Sequence, residues 1–224
     1  SSEGIVFTQG TTAGINIVAR AWAKQNLKKN DVVLISEMEH HANIVPWQVV
    51  CKETGAKLRH WLITKTGELD FRDTTSLFAG VKFVSLCHVS NVLGTVNPVE
   101  RISKLAKKHG AYFCIDGAQS VGHLKVDLKK IRPDFFVFSS HKMLGPTGVG
   151  VLYISQRCRS QMSPYQTGGE MIEEVTKTLA TFLPVPWMLE AGTQPHAQVY
   201  ALGKCFDFWN TINIVSTEQH LAEL

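Results

Sequence analysis

One pattern constrains this chain more than any other: short, almost wholly apolar runs alternate with longer stretches at helical spacing. Val32-Val33-Leu34-Ile35 reads as a buried strand, and so do the runs at 81–86, 111–115, 135–138 and 149–154. Between them, residues 12–25 set Ile15, Val18, Ala19 and Trp22 on one helix face. Residues 99–109 gather Ile102, Leu105 and Ala106 before a stop at Gly110. Strands this apolar are buried on both sides. The pattern therefore predicts an α/β fold, with a mostly parallel central sheet and helices on both faces. Such sheets bind ligands in the crevice beyond the carboxyl ends of their strands, so the residues following each apolar run carry the functional information.

The 224 residues are enough for one sizeable domain with a real core. With 44% hydrophobic and 19% charged residues, disorder is not expected. The net charge of +4 comes from scattered basic residues with no Lys/Arg block, which gives no electrostatic case for nucleic acid or an acidic membrane. No apolar run approaches the ~20 residues of a membrane-spanning helix. Ser1-Ser2-Glu3-Gly4 does not read as a signal peptide. It leads straight into Ile5-Val6-Phe7, as in a chain already in mid-fold. Cys51, Cys87, Cys114, Cys158 and Cys205 are odd in number and contain no C-x-x-C pair. Free thiols in a reducing compartment, the cytoplasm, are expected. From 163 to 195 the alternation fades among Pro164, Gly168, Gly169, Pro184, Pro186, Gly192 and Pro195, which predicts loop. From Val199 onward Leu202, Phe206 and Trp209 return to helical spacing.

Polar residues crowd the predicted strand ends. Gly10-Thr11-Thr12 opens the first helix, either as a plain capped start with Thr as the cap or as an anion site suited to phosphate. It is not a Walker loop, because no Gly-Lys-Ser/Thr follows. Asp116 ends an apolar run; it either forms a turn or pairs with a cationic ring nitrogen. Lys142 follows Phe135-Phe136-Val137-Phe138-Ser139-Ser140-His141 directly. A lysine is usually solvated surface, but one at such an edge would be partly desolvated, with a lowered pKa suited to Schiff-base chemistry. His40-His41 with Glu37 and Glu39 invites a metal reading. Adjacent side chains point apart and no H-E-x-x-H spacing exists, so no metal site is expected. Gly145-x-x-Gly148-x-Gly150 precedes a strand rather than opening a helix, so it is not a dinucleotide loop.

Taken together, four segments resemble the group II cysteine desulfurases and the similar selenocysteine lyases. They are Glu39-His40-His41-Ala42-Asn43-Ile44-Val45-Pro46-Trp47, His88-Val89-Ser90-Asn91-Val92-Leu93-Gly94-Thr95, Asp116-Gly117-Ala118-Gln119 and Ser139-Ser140-His141-Lys142-Met143-Leu144-Gly145-Pro146-Thr147-Gly148. These enzymes belong to the class V aminotransferase group of pyridoxal 5′-phosphate (PLP) enzymes, fold-type I. The resemblance implies the large PLP-binding domain of that fold. It implies Lys142 as the cofactor-bearing lysine and proton shuttle, and His40 as the imidazole stacked on the ring. Asp116 would sit at the pyridinium nitrogen, Gln119 at the ring oxygen and Asn91 near ring or substrate. Thr11, Thr12, Ser139 and His141 would hold the phosphate, and Thr193 would reach the phosphate of a neighbouring subunit in a homodimer. The implied reaction takes L-cysteine, or L-selenocysteine, to L-alanine, with sulfur passed as a persulfide to an enzyme cysteine and on to an acceptor protein for iron–sulfur cluster assembly.

The departures are as definite as the matches. The family's nucleophilic cysteine and its carboxylate-binding arginine lie in a C-terminal segment with no counterpart here. Met188 stands where the family usually has Arg, and Gln194-Pro195-His196 is atypical. Residues 1–198 are expected to form the cofactor-binding domain, incomplete at its N-terminus. Residues 199–224 would begin the helix that connects to a small C-terminal domain, and a chain so composed would lack full turnover. Another class V reaction (aminotransferase or kynureninase-like lyase) and a truncated, non-catalytic interaction protein remain as alternatives.

Overall fold

The computed structural model describes residues 2–212 together with His220 and Glu223. Seven strands form one sheet: β1 (Ile5–Thr8), β2 (Val32–Ser36), β3 (Lys57–Trp61), β4 (Val81–Cys87), β5 (Tyr112–Asp116), β6 (Phe135–Ser139) and β7 (Gly150–Ile154). Their order is β1-β7-β6-β5-β4-β2-β3. Strands β2 to β6 pair in parallel, and β7 alone runs antiparallel, to both β6 and β1. The sheet is therefore mostly parallel, as the apolar runs predict. Strand β3 escapes that signal because it lies at the sheet edge and carries Lys57, Arg59 and His60; edge strands are commonly charged.

The first helical stretch is α1 (Thr11–Ile17), which continues through a π-helical turn at Val18–Ala23 into α2 (Lys24–Asn26). Then follow α3 (Val45–Thr54), α4 (Thr74–Leu77), α5 (Val99–Lys108), α6 (Leu128–Ile131), α7 (Gln156–Arg159) and α8 (His196–Trp209). Gly110, with φ +69°, supplies the left-handed residue just past α5. The stretch predicted as loop holds an antiparallel hairpin, β8 (Ile172–Val175) and β9 (Ala180–Phe182). Both strands are short and β8 carries Glu173 and Glu174, so no apolar run marks them. Helix α8 starts at His196, three residues before the predicted Val199. The rest of the expected connecting helix, at 213–219, 221–222 and 224, lies outside the described residues.

Strand periodicity splits the core in two. Along β6, Phe135 and Val137 join one apolar cluster with Trp22 of the π-helical turn and Trp47 of α3. Phe136 and Phe138 join a second with Ile102 of α5 and Leu202 of α8. Helices thus cover both faces. Trp22 sits with its ring centroid 5.2 Å from Phe83 and 4.4 Å from Tyr112; burying a side chain of this size stabilises by about 2–3 kcal/mol. No helix among the described residues is long and apolar enough to cross a membrane.

Candidate functional site

The parallel register brings the strand ends level. Cys87 of β4 pairs with Asp116 of β5, and Asp116 with Val137 of β6. Because β7 is reversed, its first residue, Gly150, stands opposite both Ser139 and Thr8, so the Gly-rich segment before it reaches the same edge. A cleft of about 260 Å³ opens there. Nine of the ten residues singled out in the sequence line it: Thr11, Thr12, His40, Asn91, Asp116, Gln119, Ser139, His141 and Lys142. Thr193 does not. It lies in a separate cavity of about 370 Å³ with Gln9, Gly148 and Gln166.

Asp116 is 5% exposed. Its Oδ1 accepts a hydrogen bond from the Ala118 amide at 2.9 Å. Burial pushes the carboxyl above its ordinary range, while the Ala118 amide and the positive charges of Lys142 and His40 pull it back. A buried carboxyl with no direct cationic partner is matched to a ligand that brings one.

Lys142 sits in a 3₁₀ turn, Ser140–Met143, that follows β6. Two donors from α8 converge on one carbonyl of that turn: Cys205 Sγ at 2.9 Å and Trp209 Nε1 at 2.7 Å, both on the Met143 oxygen. Gly122 lies beneath, where a Cβ would overlap the Lys142 carbonyl. Leu144 ends the turn in the left-handed region, φ 66°.

His40 caps a second 3₁₀ turn, His41–Asn43, that follows β2. Its Nδ1 accepts from the Ala42 amide at 3.1 Å, which places the ring proton of the neutral form on Nε2. His41 lines a different, exposed groove with Arg20 and Val49. Glu37 accepts from the Ile63 amide at 3.0 Å. Among the described residues, no three His, Cys, Asp or Glu side chains are grouped to hold a metal ion.

At the other end of the cleft the bland reading of Thr11 as a helix cap does not hold. The N-cap is Gly10, with no side-chain cap bond. Thr11 instead pairs with Ser139: its amide donates to Ser139 Oγ at 2.8 Å, and the two hydroxyls lie 2.8 Å apart. Gly10, at φ 142°, permits this approach; a Cβ there would come within 3.0 Å of Ser139 Oγ. Thr12 and His141 are exposed on the same wall. Hydroxyls, an imidazole and a helix N-terminus together suit a phosphate. The donor set of the cleft — amine, imidazole, carboxyl and this hydroxyl pair — is of the kind PLP requires.

The sequence weighed Glu39 only as a metal ligand. It is buried under the His40 turn, and burial pushes its carboxyl up to about 7 against opposing hydrogen bonds from Ser36, Asn43 and the Cys87 amide. All five cysteines are free and buried. Burial raises every one of their thiols, Cys51 to about 11 and Cys158 to about 12, so none is poised as a thiolate.

A mostly parallel α/β sheet with a polar cleft at its strand ends defines the general class: an α/β protein with a ligand site at the carboxyl edge. The particular family follows from comparison, for the aminotransferase class-V family model matches residues 1–224 and the chain belongs to that family. The cysteine desulfurase of Serratia proteamaculans is 45% identical over 216 residues, covering 96% of this chain and 53% of the relative. The apo structure of the cysteine desulfurase from Thermococcus onnurineus NA1 superposes with a TM-score of 0.94 at 36% identity, over 98% of this chain and 55% of that one. A C-DES variant with glycine covalently linked to its PLP cofactor shares the fold, with a TM-score of 0.85 at 23% identity over 98% of this chain and 59% of that one. The chain thus spans about half the length of the curated relatives it matches.

Proposed function

We propose that this chain is the cofactor-binding domain of a PLP-dependent cysteine desulfurase, with Lys142 as the residue that holds the cofactor. One observation carries the reading: Lys142, His40 and the buried Asp116 converge on one cleft from the ends of three different strands. The relatives named above support it. When bound, PLP supplies an electron sink for the carbon that bears the substrate amino group.

The chain's own residues divide the remaining work. Asp116, buried at the end of β5, would pair with the ring nitrogen and favour its protonated form. Lys142 Nζ would hold the cofactor and move a proton to and from the substrate α-carbon, and His40 would face the ring, with Nε2 as its proton-bearing atom. Gln119 would donate to the ring oxygen, and Asn91 would orient ring or substrate. Thr11, Thr12, Ser139 and His141 would take the phosphate, and Thr193, in its separate cavity, would take that of a second copy in a homodimer. The substrate is L-cysteine or L-selenocysteine. The sulfur goes to a thiol other than the five buried here and then to an acceptor protein for cluster assembly. Residues 1–198 form the cofactor-binding domain, and α8, which starts at His196, begins the connecting helix. The free thiols support a reducing compartment, the cytoplasm.

The test is a visible absorption spectrum of the chain with added PLP, for wild type and Lys142→Ala. A band that is lost on borohydride treatment and absent from Lys142→Ala is expected. A band of equal strength in both proteins contradicts the assignment.

A further inference from the structure

The turn that carries His40 stands on a buried polar network with no part in the chemistry above. Glu39 Oε2 accepts from Asn43 Nδ2 at 2.6 Å and from the Cys87 amide at 2.8 Å. Glu39 Oε1 accepts from the Ser36 hydroxyl in a very short contact. Asn43 Oδ1 in turn accepts from Trp47 Nε1 at 2.8 Å and Ser85 Oγ at 2.6 Å. One carboxyl therefore joins the end of β2, the turn after it, α3 and the last residues of β4. His40 itself is exposed. The hydrogen bond of its ring is local, to Ala42, and its ring contact is the neighbouring His41 at 5.9 Å. Its position over the cleft is thus set from below, through the backbone of its turn.

We propose that Glu39 is a positioning residue whose carboxyl ties the His40 turn to the end of β4 and so fixes where the His40 ring stands over the cleft. The proposal rests on the reading of His40 as the ring-stacking group and adds the residue that aims it. The geometry also dictates which replacement works. Both structural bonds fall on Oε2, while Oε1 faces a hydroxyl that can donate or accept. A protonated Glu39 can turn its O–H to Ser36 and keep the two bonds on Oε2. Glutamine can do the same with its amide nitrogen, whereas alanine removes every bond. Around the carboxyl, Asp116 of β5 opposes negative charge, and the Cys87 and Cys114 thiols stay protonated.

The experiment follows the His40 ring resonances through a pH titration in the protein without PLP, for wild type, Glu39→Gln and Glu39→Ala, with far-UV circular dichroism confirming the fold. Wild type and Glu39→Gln should give one His40 environment with the neutral-ring proton on Nε2. Glu39→Ala should shift and broaden it, and should weaken PLP affinity by about tenfold while glutamine restores it. His40 resonances in a folded Glu39→Ala that superimpose on wild type overturn the proposal, and so does a Glu39→Gln that moves them as far as alanine does. If Glu39→Ala does not fold, Ser85→Ala, which cuts one outer bond of the network, must still displace the His40 resonances; unmoved resonances overturn it equally. A wild-type protein that takes up no PLP counts against the cofactor reading, while the resonances, measured without PLP, still decide the role of Glu39.

Discussion

Two 3₁₀ turns deliver the two central side chains, and they are held by opposite means. The His40 turn sits on hydrogen bonds that end in a buried carboxyl. The Lys142 turn sits on neutral contacts: two donors from α8 on the Met143 carbonyl, and the bare backbone of Gly122 below. The first support can change its charge within the physiological range and the second cannot. In such a pair, pH acts on the imidazole's platform while the amine's stays put.

The largest expected effect tests the polar support. Glu39→Ala leaves the Cys87 amide and Asn43 Nδ2 buried and unpaired, and should cost about 4 kcal/mol of unfolding free energy in urea denaturation. Next comes pH. The folded state raises Glu39 from 4.5 to about 7, so it holds this proton more tightly than the unfolded chain does. The resulting stability is complete below pH 4.5 and is lost as pH rises to about 7, a change of no more than about 3 kcal/mol. Asp116, raised by the same burial, adds a contribution of the same sign. The part that belongs to Glu39 is the slope of stability against pH that disappears in Glu39→Gln.

The neutral support should respond without any such slope. Gly122→Ala forces a methyl against the Lys142 carbonyl and should cost about 2 kcal/mol at every pH. Cys205→Ala removes one of two donors to Met143 and, with Trp209 still in place, should cost about 1 kcal/mol. A pH slope that changed in Gly122→Ala as it does in Glu39→Gln would break the contrast between the turns.

Much of this was legible beforehand because the signals are local. Runs such as Phe135-Phe136-Val137-Phe138 announce a strand buried on both faces, and the rule for such sheets points to the residue after each run. The place of Lys142, Asp116 and His40 at the cleft was legible that way. Strand β3 was not, since an edge strand with Lys57, Arg59 and His60 lacks the apolar signal. The β8–β9 hairpin was missed because Glu173 and Glu174 sit within it. Thr11 was weighed as a cap, and its pairing with Ser139, 128 residues away, is invisible to local pattern. Glu39 was missed for the same reason: Ser85 and the Cys87 amide are remote in sequence, and only the β2–β4 pairing brings them beneath the His40 turn.

The central claim is that Lys142 is the amine that takes the cofactor. The most direct measurement is borohydride treatment of the protein with PLP, followed by digestion and mass spectrometry of the labelled peptides. The account predicts a pyridoxyl group on Lys142 and none above background on the exposed lysines, such as Lys104 and Lys129. A label spread over surface lysines, with Lys142 unmodified, would contradict it.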